Sequence, residues 1–191
     1  DLTGTLTVQA QSFAALHGNI NGTGNLVAQT LFLMSDQDLV YSTTGTPQVT
    51  NLALLADLDN NGDGTVVLQN PVAVSGNLRL SGHDIDGGVD GIRLTAQRML
   101  LRSGSSEDIS VRSASTSLPL LLDAATSANL RITAAAGLQL RDLNADGSAF
   151  ASSGATGQLN LTAADTIHVV DKILTAGSCL LYTSPSPRDQ R

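Results

Sequence analysis

Apolar and polar residues alternate one by one along most of this chain, in short runs opened by glycine. The recurring phrase reads GTLTVQA from Gly4, GNLVAQT from Gly24, GTVVLQN from Gly64, GNLRLSG from Gly76, GIRLTAQ from Gly91, GLQLRDL from Gly137 and GQLNLTA from Gly157. A period of two marks a half-buried β-strand. It predicts Leu78 and Leu80 on one face with Arg79 on the other, Ile92 and Leu94 around Arg93, and Leu130 and Ile132 around Arg131. Between the runs lie turn clusters: NINGTGN, DLDNNGDG, HDIDGGVDG, SGSSED, LNADGS and SSGATG. Gly, Asn and Asp supply the positive-φ and side-chain-capped positions of tight turns. No segment sustains a capped helical period; the best helix candidate, 123–128, is short and rich in Thr and Ser.

The spacing of the runs predicts how they assemble. Gly4 to Gly24 and Gly137 to Gly157 are each 20 residues apart, while Arg93, Arg112 and Arg131 recur at 19. Repeats of that length predict a solenoid in which each unit buries its apolar face on the next. The expected fold class is all-β, a right-handed parallel β-helix (β-solenoid) with coils of about 19–21 residues. About nine coils stacked at strand spacing would span about 40 Å. The rival architecture is a β-sandwich, which usually places more aromatic residues in its core and needs antiparallel hairpins. Aromatics are 3% of this chain and Trp is absent, which favours the solenoid.

Composition narrows the function. The 191 residues carry a formal charge of −7, and all but one of the acidic residues are Asp (the exception is Glu107). An acidic chain with no basic run predicts no nucleic-acid binding. No uninterrupted apolar run approaches the roughly 18 residues of a membrane helix, so no membrane span is expected. The single cysteine is Cys179, so residues 1–178 hold no disulfide, thiolate nucleophile or cysteine zinc site.

Two segments match the opening of a calcium loop, D-x-[DN]-x-[DN]-G. They are Asp57, Asp59 and Asn61 with Gly62, followed by Asp63, and Asp142, Asn144 and Asp146 with Gly147. Oxygens at alternate positions converge on a hard cation when glycine permits the sharp turn. The full loop requires a bidentate Glu at its twelfth position, where this chain has Leu68 and Ser153. These seven residues are the calcium candidates, against a plain reading as solvated turns; no other cofactor is expected. A third acidic cluster is Asp84, Asp86 and Asp90. His17, His83 and His168 are too far apart in sequence for a paired metal motif. Arg93, Arg112 and Arg131 would line up as an outward cationic stripe on coils of 19 residues. Such a stripe needs acidic partners or an anionic ligand such as an acidic polysaccharide, against the plain reading, which is preferred, that Arg is this chain's usual solvent-facing strand residue. No catalytic motif is present, and the expectation is a protein that is not an enzyme.

The two ends read differently from the middle. Asp1 already sits inside a strand-like pattern, as expected of a cut within a longer repeat protein. CLLYTSPSPRD, from Cys179 to Asp189, resembles codon for codon the in-frame translation of a transposon-based sequencing adapter. The expected organisation is therefore a β-solenoid fragment over 1–178 and a non-native, disordered tail over 179–191, from a metagenomic reading frame that ran into its adapter.

Phrases such as LALLADLDNNGDGTVVLQ, GIRLTAQRMLLRSGSSEDISV and GQLNLTAADTIHVVDKILTAGS resemble the strand repeats of filamentous-haemagglutinin-like adhesins and related giant β-strand-repeat bacterial surface proteins. The resemblance implies a shaft that is secreted or displayed on the bacterial outer surface. It implies partners among host or bacterial surface proteins or glycans, engaged through the parent protein, and a role in cell adhesion or biofilm. The competing expectation is a carbohydrate-active β-helix enzyme or polysaccharide-binding module. Three or more Asp and Arg side chains converging in one groove would favour the enzyme; scatter over the turns would favour the shaft. A shaft cut at both ends exposes strand edges and is expected to associate end to end.

Overall fold

A computed structural model describes residues 9–17, 20–22, 27–42, 48–103, 108–126, 129–152, 158–175 and 179–183. The strands are β1 (Gln9–His17), β2 (Ile20–Gly22), β3 (Val27–Met34), β4 (Leu39–Tyr41), β5 (Gln48–Leu55), β6 (Thr65–Leu68) and β7 (Val72–Ala73). They continue as β8 (Asn77–Ser81), β9 (Asp84–Asp86), β10 (Ile92–Ala96), β11 (Arg98–Arg102), β12 (Ile109–Ser113), β13 (Leu120–Ala125) and β14 (Leu130–Ala134). The last are β15 (Leu138–Leu140), β16 (Phe150–Ser152), β17 (Leu159–Ala163), β18 (Ile167–Val169), β19 (Ile173–Thr175) and β20 (Cys179–Thr183). The only helical turn among the described residues is a 3₁₀ turn at Gly88–Asp90. Asp123, where the best helix candidate begins, lies in β13.

The protein is all-β, and its strands form three parallel sheets. A ten-stranded sheet runs β1-β3-β5-β8-β11-β13-β15-β18, with β16 and β19 beside it. A six-stranded sheet runs β7-β10-β12-β14-β17-β20, and a four-stranded sheet β2-β4-β6-β9. Along the main path of each sheet the strands follow chain order, and at least one strand of a neighbouring sheet lies between successive partners. That path supplies the long crossover that parallel pairing requires. The four-stranded sheet accompanies the N-terminal half, and after β9 the six-stranded sheet alone accompanies the ten-stranded one.

Alternation becomes a core because the registers keep like on like. Leu31, Leu52, Leu78, Met99, Leu122 and Leu140 form one inward row, each paired with the next. Ile92, Ile109, Leu130 and Leu159 form another in the six-stranded sheet. All ten are at most 2% exposed. Burying each such side chain is worth about 1.5–3 kcal/mol. Leu78 and Leu80 face inward and Arg79 outward, as the alternation predicts.

Two expectations are corrected. The interval between paired residues is not a uniform 19–21. It ranges from 17, Ile92 to Ile109, to 29, Leu138 to Ile167. The extra length includes the two Asp/Asn/Gly segments, which protrude where a uniform coil would turn. The second correction concerns the tail: Cys179–Thr183 is a strand paired in register with β17, from Leu159↔Cys179 to Ala163↔Thr183. An open parallel edge offers a row of backbone donors and acceptors to any segment able to extend, and CLLYT is made of strand-compatible residues. Residues 184–191 lie outside the described part.

Candidate functional site

The two calcium-like segments close in the same way, although only the first begins with a positive-φ residue, Asp57 at 53°. In the first, Asp57 Oδ1 accepts the Gly62 N–H at 3.1 Å; in the second, Asp142 Oδ2 accepts the Gly147 N–H at 2.7 Å. The fourth and sixth residues of both adopt positive φ, Asn60 at 54° and Gly62 at 88°, Ala145 at 63° and Gly147 at 94°. A first-position carboxylate tied to the sixth-position N–H closes the turn. The remaining candidates also bond within their loops. Asn61 donates to Asp59 at 3.0 Å and accepts the Asp63 N–H at 3.1 Å. Asn144 donates to Asp146 at 3.0 Å. Among the described residues no three His, Cys, Asp or Glu side chains are grouped to hold a metal ion. Asp86 Oδ1 accepts the Gly88 N–H at 2.6 Å. His83, in the bend between β8 and β9, and His168, in β18, are both exposed.

The second loop splits a sheet row. Leu122 pairs with Leu140, but Ala124 pairs with Phe150, so nine residues leave the sheet opposite Asp123. That carboxylate is fully buried. Its Oδ2 accepts the N–H groups of Leu143 at 2.6 Å and Asn144 at 3.2 Å, replacing sheet hydrogen bonds lost at the break. Its Oδ1 accepts from Arg102 Nη2 at 2.6 Å, and the same nitrogen donates to Asp146 Oδ2 at 2.8 Å. Asp171 Oδ2 accepts the Asp142 N–H at 2.9 Å. Burial raises the Asp146 carboxyl, but hydrogen bonds from Asn144 and Ser148 and the Arg102 charge outweigh it and hold the group below its ordinary value.

This cluster was missed in the sequence. The one available signal was Asp123 itself, a lone acid in the apolar run LPLLLDAA. Arg102, Asp123 and Asp146 do converge, but as a structural bolt. Every oxygen of Asp123, Asp142 and Asp146 already accepts a hydrogen bond, and Asp123 has no exposed surface for a substrate.

The arginine stripe is corrected to a staggered patch. Arg93 pairs with Ser110 and Ser110 with Arg131, whereas Arg112 pairs with Thr95 and Thr133. The intervals of 17 and then 21 residues displace Arg112 by two positions, so all three are exposed on one outer face without stacking. A polar groove of about 220 Å³ takes in Arg131 alone of the three, lined also by Asp108, Ile109, Ser110, Asn129, Gln158 and Asn160.

No helix among the described residues is long and apolar enough to cross a membrane. No protein-family profile, curated protein or solved structure matches the chain.

Proposed function

We propose that the chain is a length of right-handed parallel β-helix forming the shaft of a secreted or surface-displayed bacterial adhesin of the filamentous-haemagglutinin-like kind. Its role is to carry binding regions away from the cell for adhesion or biofilm. One observation supports this above the others: parallel strands join each sheet in chain order, with aliphatic rows continuing from strand to strand. Such a stack lengthens by adding coils, because every coil offers the next the same hydrogen-bonding edge and the same apolar surface. The convergent carboxylates serve the Asp142–Gly147 loop, which favours a scaffold over a carbohydrate-active enzyme.

Display is tested with antibody raised against the chain, applied to intact bacteria expressing the gene with its flanking sequence. Labelling before permeabilisation is the expected result. Labelling only after permeabilisation, with a periplasmic control behaving likewise, overturns the reading.

A further inference from the structure

The chain is acidic overall, yet one of its faces is cationic. Outward positions of β10, β12, β14 and β17 carry Arg93, Arg112 and Arg131 among threonine, serine and asparagine, without a single carboxylate. The ion pairs among the described residues belong to Arg102, on the ten-stranded sheet. Among the described residues the three exposed guanidiniums on this face have no acidic partner. The nearby Asp108 already accepts from Asn129 at 2.8 Å. Aliphatic rows hold the sheet from inside, and none of the ion pairs among the described residues uses these three cations.

We propose that the outer face of the six-stranded sheet docks an acidic polysaccharide whose charges are uronate carboxylates. Three features select that ligand. First, all three cations are arginine, whose planar fork pairs bidentately with a carboxylate. Second, Arg93 and Arg131 stand two strands apart, about 10 Å by strand spacing. A small anion cannot bridge that distance, whereas a polymer with repeating charges can. Third, the groove beside Arg131 is lined by Ser110, Asn160, Asn129 and Gln158, hydroxyl and amide groups suited to sugar hydroxyls. Duplex DNA fits less well, because a chain of charge −7 opposes a dense phosphate backbone. The inference rests on the sheet's outer face and holds whether or not the chain is displayed on a cell.

The test is retention of the full chain on immobilised polygalacturonate, with neutral dextran and duplex DNA as comparison matrices. Two triple variants of equal charge change separate a local patch from net charge: R93Q/R112Q/R131Q on this face, and R79Q/R98Q/R141Q elsewhere. Circular dichroism confirms that each folds. Expected are retention on polygalacturonate alone, elution by salt, about tenfold or greater weakening in the first triple and little change in the second. No retention of the wild type overturns the proposal. So does equal retention on DNA, an unweakened first triple, or equal loss in both triples. Surface labelling is measured separately, so its failure leaves this result standing.

Discussion

Arg102 and Asp123 lie on adjacent strands two residues out of register. Arg102 pairs with Ala125 and Asp123 with Leu100, yet the guanidinium reaches diagonally to the buried carboxylate at 2.6 Å. The pair closes the break in the ten-stranded sheet opposite the Asp142–Gly147 loop. Removing Arg102 strands a charge that has no access to water. R102Q should therefore destabilise the protein by about 3–5 kcal/mol, read as a shift in the urea midpoint. A cost below about 1 kcal/mol would show that the pair does not hold the break.

Asp146 tests the same network by pH. Its carboxyl lies below its ordinary value of 3.8, so its contribution is present above that pH and is lost as pH falls through the lower folded value. Acid melting curves should steepen below about pH 4, and D146N should flatten that segment. An unchanged acid limb in D146N would contradict the assignment.

Tyr41 packs inward beside Leu68, and its buried hydroxyl has no hydrogen-bond partner among the described residues. Burial pushes the phenol from 10.0 up to about 12. The folded state resists ionisation, so stability is full below about pH 10 and declines as pH rises toward 12. Y41F removes an unsatisfied polar group, so it should keep or raise stability by about 1–2 kcal/mol and abolish the alkaline decline. Marked destabilisation by Y41F would mean that the hydroxyl has a partner.

Gly64 and Gly88 should respond differently to alanine. A Cβ on Gly64 would strike the backbone of Asp57, whereas one on Gly88 meets open space at a φ of +65°. G88A should cost about 1 kcal/mol from backbone conformation alone, and G64A should cost more because the first Asp/Asn/Gly loop must open. Thermal melts of the two variants give the order; the reverse order would refute the close approach.

Val169, Val170 and Leu174 are about half exposed where β18 and β19 close the ten-stranded sheet. Edge strands with apolar side chains recruit further strands, so sedimentation should show association growing with concentration. V169K/L174K should reduce it. A wild type that stays monomeric at high concentration would count against end-to-end stacking.

Alternation alone determined which residues face inward. Leu78, Leu80, Ile92, Leu94, Leu130 and Ile132 are all core residues, because a strand's period of two is a local property of the backbone. The chain's glycine-opened runs and scarcity of aromatic residues likewise made parallel stacking legible. Pairing was not legible, since it depends on how many residues each crossover consumes. Intervals of 17 and 21 on either side of β12 turned an expected stripe of Arg93, Arg112 and Arg131 into a staggered patch. Nor could local pattern show that Asp123 is buried beside Arg102. Those residues are 21 apart, and a one-residue change in register would point their side chains to different faces. The open edge of β17 likewise decided the fate of Cys179–Thr183, because hydrogen bonding to a neighbouring strand supplies order that a segment's own sequence does not.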